Sequence, residues 1–209
     1  MASLTTNRSP QELSAALWAL TGVDWPTIWA GVPKDAQKRS DWCAGFGWQP
    51  LWFQAGQHVR TASGLRLFLA SAAPGRPVTR VECVPWGVRA AAAKENPQLI
   101  RMAVERWEAQ LAGAQEVLGV PDWQGGWHAT EFPRRPVPDH LQDSDRRLEY
   151  RSPHRLALWT FSTPGAPAIE LRADLGVATA ADQWPGDARI VLACHGPADP
   201  EPTGPGWRL

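Results

Sequence analysis

Apolar positions along the chain fall into blocks of two different periods. Leu13, Ala16, Leu17 and Leu20 recur at spacings of three and four, the stripe of an amphipathic helix. Ser9 and Glu12 form an S-x-x-E capping box ahead of that stripe, Pro10 suits the first turn, and Gly22 ends it. A weaker helix is expected from residue 33 to about residue 43, stopped by Gly45 and Gly47. The period then drops to two. Leu51-Trp52-Phe53 is a short apolar run, and Leu65, Leu67 and Leu69 alternate with Arg66, Phe68 and Ala70. Residues 78–84 alternate less cleanly, with Thr79, Val81 and Cys83 on one face, and Ala73-Pro74-Gly75 supplies a turn. The block predicts an antiparallel meander.

The same succession then repeats. Asn96 is expected to cap a helix whose first residue is Pro97. Ile100, Val104, Trp107, Leu111, Ala114 and Leu118 make one stripe over about five turns at 3.6 residues per turn. Arg101, Glu105, Glu108 and Glu116 fall mainly on its other side, and Gly119 and Pro121 end it. Strands are expected at 154–161, 168–174 and 190–193. In the second of these Ile169, Leu171 and Ala173 face a core, while Glu170, Arg172 and Asp174 face water. The run 190–193 is short and wholly apolar, as in a central strand.

The fold class is therefore α+β, with antiparallel sheet packed by helices in two pseudo-repeated helix-then-meander halves, residues 1–95 and 96–195. Residues 196–209, rich in proline and glycine, are expected to form a loose tail. A short motif accompanies the repeat. Asp24-Trp25-x-x-x-Trp29 and Asp122-Trp123-x-x-x-Trp127 each come just after a Gly-Val pair and a helix. Trp25, Trp29, Trp123 and Trp127 have two readings. They form an aromatic surface for a partner, or they brace a loop on the core while Asp24 and Asp122 cap backbone N–H groups; burial of large aromatics favours the second.

Charge narrows the function. The 209 residues carry 21 basic and 21 acidic side chains, a formal net charge of zero. That argues against a protein built to hold nucleic acid or an anionic membrane, where a basic excess supplies most of the affinity. No apolar run approaches the ~20 residues of a membrane span, and the first residues hold no apolar signal segment, so a cytoplasmic protein is expected. Cys43, Cys83 and Cys194 are odd in number and far apart, as buried free thiols would be.

No catalytic or cofactor motif survives inspection, and neither a cofactor nor a metal is expected. Cys194-His195 would point to opposite faces of a strand and so could not pair as nucleophile and base. His128-x-x-Glu131 has ligand spacing only on a helix, and Gly125, Gly126 and Pro133 argue against one there. Gly45-Phe46-Gly47 lacks the third glycine of a dinucleotide loop. What remains is a mixed-charge segment: Arg134, Arg135, Asp139, Asp143, Asp145, Arg146 and Arg147, with Glu149 and Arg151 beyond. A mixed-sign segment is either a solvated loop or a surface matched to one partner.

The succession of helix, Asp-Trp turn, strand meander, long helix ending in Val117-Leu118-Gly119-Val120-Pro121, and final strands with Leu156-Ala157-Leu158-Trp159 resembles small, uncharacterised actinobacterial proteins that sit beside secreted polymorphic toxins and are regarded as immunity proteins. The resemblance implies a cytoplasmic α+β protein that neutralises a cognate toxin by binding it, with another protein as its partner and neither nucleic acid nor membrane. Two other readings stay open: a small enzyme of bacterial secondary metabolism with a Trp- and His-lined pocket, and a secretion chaperone.

Overall fold

The capping box at Ser9 forms as its sequence requires. The Ser9 hydroxyl accepts from Glu12 N (3.2 Å), and Ser9 N donates to the Glu12 carboxylate (2.7 Å). It starts helix α1 (Pro10–Thr21), which buries Leu13, Ala16, Leu17 and Leu20. The structure is a computed structural model that describes residues 2–133, 143–176 and 183–197. Asp24 caps the short helix α2 (Trp25–Ala30) through Thr27 N, and Asp35 caps α3 (Ala36–Gly45) through Lys38 N.

Nine strands among the described residues form one antiparallel sheet. They are β1 (Ser3–Asn7), β2 (Gln49–Phe53), β3 (Gly56–Arg60), β4 (Arg66–Ala70), β5 (Arg80–Arg89), β6 (Trp123–Gly125), β7 (Arg155–Trp159), β8 (Ala168–Leu175) and β9 (Asp187–His195). The order across the sheet is β2-β3-β4-β5-β9-β8-β7-β6. It reads the same from both ends: each half runs from an outer strand inward, and the last strands of the two halves, β5 and β9, pair at the centre. The halves therefore share one sheet. Strand β1 joins the far end of β5, beyond β4, at a bulge between Cys83 and Trp86. Helix α4 (Asn96–Leu118) lies on β5, β7, β8 and β9, and α1 lies on α4. A helix α5 (Ser144–Tyr150) belongs to the connection between β6 and β7.

Several expectations need correction. The first residues form a strand, and β3 was not anticipated. The central strand β9 runs far beyond 190–193, and its register puts Val191 and Ala193 on the face opposite Ile190 and Leu192. All four are buried, which is why the run reads as continuously apolar. Helix α4 is rotated from its expected stripe. Leu99, Ala103, Trp107, Gln110, Leu111 and Ala114 are buried, whereas Val104 is 36% exposed. The reason is α1: small residues turn toward it, and Gly113 lets the helices touch, with the Ser14 hydroxyl donating to Gly113 O (2.9 Å). Asn96 is not a cap but a buried residue of the helix. Its amide donates to Trp184 O and its carbonyl accepts from Gly186 N, fastening the approach to β9.

The two Asp-Trp elements do not share a conformation. The first is helix α2; the second opens the edge strand β6, where the Asp122 carboxylate accepts from the backbone N (2.6 Å) and hydroxyl (2.7 Å) of Thr160. Those bonds hold the Asp122 carboxyl below its ordinary range. Two tryptophans, Trp25 and Trp159, tie helix ends to their surroundings. The Trp25 indole N–H donates to Leu20 O at the end of α1, and that of Trp159 to Gly119 O at the end of α4. Each indole thus adds a bond to a carbonyl at a helix end.

Candidate functional site

Register pairings draw one line of neighbouring side chains across the face of the sheet that α1 and α4 do not cover. The direct cross-strand partners are His58 and Phe68, Phe68 and Glu82, Glu82 and Ala193, Ala193 and Glu170, Glu170 and Leu158, and Leu158 and Trp123. Residues on one face of adjacent strands interact directly, so this row is a continuous surface. Its three parts differ in chemistry.

At the second-half end the surface is apolar and covered by the chain itself. Leu156 and Leu158 are buried under Trp123 and Phe132. The guanidinium of Arg147, from α5, lies over the Phe132 ring at 4.1 Å from its centroid. The connection between β6 and β7 folds back to make this cover.

At the centre lies a buried ionic network. Glu170 has no exposed surface. One of its oxygens meets Arg172, and the other lies 2.9 Å from His195 Nε2. Arg172 also reaches Asp174 (3.0 Å), Asp174 reaches Arg189 (3.4 Å), and Arg80 reaches Glu82 (3.0 Å). Three arginines face three carboxylates. Burial alone would raise the Glu170 carboxyl, but the His195 hydrogen bond and the charges of Arg172, His195 and Arg80 outweigh it and hold it below its ordinary value. The expectation that Glu170, Arg172 and Asp174 face water is overturned for Glu170, which is buried, whereas Arg172 and Asp174 are half-buried. Alternation correctly put all three off the main core.

The first-half end has no cover from a helix, and its chemistry is aromatic and basic. The His58 ring stacks on Trp52 and lies tilted against Phe68, with centroids 4.8 Å apart on each side. Trp52 is 47% exposed. Beside this ladder Arg60 and Arg66 stand directly opposite each other on β3 and β4, both exposed, with no ion pair among the described residues. Like charges in that position destabilise a sheet. A cleft of about 480 Å³ opens along the same face where β5 changes partner from β4 to β1; Thr5, Arg66, Phe68, Glu82 and Val84 line it, and His58 reaches it.

No family model, curated protein or solved structure matches the chain. The site is read from its own residues.

The segment expected to carry a partner divides. Arg134, Arg135 and Asp139 lie outside the described residues. Asp143 caps α5, accepting from the N–H groups of Asp145 and Arg146, and both of these residues are exposed. Arg147 is buried over Phe132, so it serves the cover. The part from Ser144 onward is helix where a loop was expected: Asp143 and Asp145 at its start suit the positive end of a helix. Of the aromatic elements, Trp25 and Trp29 stack on each other at 5.0 Å and are buried, while Trp123 and Trp127 are half-buried on the other side of the molecule. The fold does not bring the two pairs together.

Other candidates fall to plain geometry. Cys194 points into the main core and His195 to the opposite face. Burial pushes the thiol of Cys43 up to about 11 and that of Cys83 up to about 12, and raises that of Cys194 as well. His128 and Glu131 lie in the non-helical stretch after β6. Among the described residues no group of three His, Cys, Asp or Glu side chains is placed to hold a metal ion, and no helix is long and apolar enough to cross a membrane. Sequence reasoning missed the Trp52–His58–Phe68 ladder. Its available signal was the Thr61-Ala62-Ser63-Gly64 turn, where Gly64 takes a positive φ of 77° and closes the β3–β4 hairpin.

Proposed function

We propose that this chain is a non-catalytic protein-binding module of the immunity type, acting in the cytoplasm, and that it neutralises an acidic partner with the uncovered half of its sheet. One observation carries the reading. Among the described residues the same sheet face is covered by Phe132 and Arg147 in the second half and by no such cover in the first, where it displays a Trp52–His58–Phe68 ladder beside two arginines without an ion pair. Exposed aromatics with arginine are the residues that dominate binding energy at interfaces. Arg60 and Arg66 repel each other in the free protein, and a partner carboxylate between them relieves that repulsion as it binds. The partner in this reading is a protein with an acidic patch rimming an apolar one, here a cognate toxin.

The rival reading, a small enzyme with a Trp- and His-lined pocket, rests on the presence of His58 at the 480 Å³ cleft. Its ring stacks on Trp52 and lies tilted against Phe68, a posture suited to a rigid contact more than to proton transfer to a bound molecule.

The test is co-expression with the proteins encoded by neighbouring genes, scored by survival and co-purification, followed by binding kinetics. Trp52→Ala is expected to weaken the complex at least tenfold. Arg60→Glu is expected to slow association and lower its salt dependence, while stabilising the free fold by about 0.2–1 kcal/mol, because a like-charge pair becomes an ion pair. Unchanged affinity in both variants refutes the surface. Turnover of a small molecule abolished by His58→Gln favours the enzyme, and binding to heparin or nucleic acid in place of protein refutes the partner class.

A further inference from the structure

A second cleft lies on the helix-covered side of the sheet, away from the aromatic face. It encloses about 500 Å³ between the ends of α1 and α4, the first turn of α2 and the β7–β8 connection. That volume is typical of a small-molecule site. Its walls are mostly carbon: Leu20, Trp25, Leu118, Phe161 and Ile169 are among them.

Its electrostatics point one way. Among the described residues Asp24 is the one charged residue in the lining, and no Lys, Arg or His contributes to it. Helices α1 and α4 both end there, and neither has a basic residue in its last turn. A helix C-terminus carries about half a negative charge. Two such ends face an apolar, aromatic-walled space together with the Asp24 carboxylate, which also caps the positive end of α2 through Thr27 N. The space is also held open by fixed bonds. The Trp25 indole N–H pins α2 to Leu20 O, that of Trp159 pins Gly119 O, and that of Trp29 reaches Gly165 O (3.1 Å) on the far wall. A pocket built in advance loses little entropy on filling.

We propose that this cleft binds a small organic cation with an apolar or aromatic body, its ammonium group toward Asp24 and the helix ends and its body against Trp25 and Phe161. An anion would meet unrelieved repulsion there, and a neutral apolar molecule would leave the negative rim without a counter-charge. The site is independent of the protein-binding face, so either proposal can fail alone.

The experiment titrates the full chain with three probes of one shape, 2-phenylethylamine, 2-phenylethanol and 3-phenylpropionate, read by calorimetry and tryptophan fluorescence. The amine is expected to bind tightest, and the carboxylate at least tenfold more weakly. Asp24→Asn keeps an equally good helix cap, so the fold stays intact. It is expected to weaken the amine about three- to fivefold, the scale of an exposed ion pair, and to leave the alcohol unchanged. Ala166→Phe fills the cleft and is expected to abolish amine binding. Equal affinity for amine and carboxylate, or no amine binding up to its solubility limit, overturns the proposal. So does amine binding that Ala166→Phe leaves intact. A Phe-Lys-Phe peptide that binds ten times more tightly than the amine overturns the small-molecule assignment in favour of a lysine side chain of a protein.

Discussion

Replacing Glu170 by Gln tests whether the buried network at the centre of the sheet is what the geometry makes it. The change keeps size and shape and removes one charge. In the native protein Glu170 is wholly buried, with one oxygen on Arg172 and the other 2.9 Å from His195 Nε2. Removing one partner of a buried ion pair costs about 3–5 kcal/mol, because the other charge is left uncompensated. Here Arg172 keeps Asp174 at 3.0 Å, so the cost falls toward the low end, about 3 kcal/mol. For a chain of this size that lowers the unfolding midpoint by roughly 6–12 °C. The control is Glu82→Gln. Glu82 is half-buried and pairs with Arg80 at 3.0 Å, and so exposed a pair is worth about 1 kcal/mol or less.

The same pair of proteins gives a pH signature. Glu170's carboxyl titrates below its ordinary value of 4.5 when folded. A group depressed in this way contributes stability above its unfolded value, and that contribution is lost as pH falls through the folded value. The difference in unfolding free energy between native protein and Glu170→Gln should be constant near neutrality and shrink below about pH 4.5. Other depressed carboxyls, Glu12 and Asp122, are present in both proteins and cancel. Urea unfolding followed by far-UV dichroism from pH 3 to 8 measures it. A loss under 1 kcal/mol at pH 7, or a difference that does not shrink in acid, refutes the reading of Glu170 as an ionised, buried partner.

Gly113→Ala should destabilise, against the usual trend. Alanine favours a helix by about 1 kcal/mol, but its Cβ would stand 2.9 Å from Ser14 Oγ and 3.1 Å from Pro10 O; overpacking of about 1–3 kcal/mol then leaves a net loss, and a raised urea midpoint would show that α1 can simply step back. Trp107→Ala should cost about 3–5 kcal/mol by thermal or urea unfolding, because the ring is fully buried under the sheet, and a loss near zero would remove that face of α4 from the core.

Most of the architecture was written in local chemistry. The Ser9–Glu12 box, the leucine stripe of α1, the Leu65–Leu67–Leu69 alternation and the Ile169–Leu171–Ala173 alternation each act within a few residues, and each forms as read. The failures involve partners distant in sequence. Asn96 has the right residue type for a cap, but its amide is claimed by Trp184 and Gly186. Val104 fits the stripe of α4 by spacing, yet α1 pulls the helix round so that Ala103 and Gly113 face inward. Charge alternation on β8 correctly separated Glu170 from Leu171, but a pattern of period two reports only which face a residue takes. It does not report what lies above that face.

The candidate binding surface turns on this last point. Leucines at 65, 67 and 69 must enter the core, so Phe68 has to take the other face, and a one-residue slip would expose all three leucines. That much is legible. Whether the other face meets water is decided by the connections. Strands β2 and β3 are joined by a two-residue turn, Gln54–Ala55, too short to reach back over the sheet; the equivalent strands of the second half, β6 and β7, are joined by residues 126–154, which bring Phe132 and Arg147 onto Leu156 and Leu158. In a sheet whose halves mirror each other in order, unequal connections leave one half of a shared face self-covered and the other open. The open half carries Trp52, His58 and Phe68, and the covered half shows the kind of group that packs there: an aromatic ring with a charge above it. A partner that offers an aromatic or apolar side chain ringed by carboxylates would reproduce, between two chains, the packing that the second half achieves within one, with the sign of the charge reversed to suit Arg60 and Arg66.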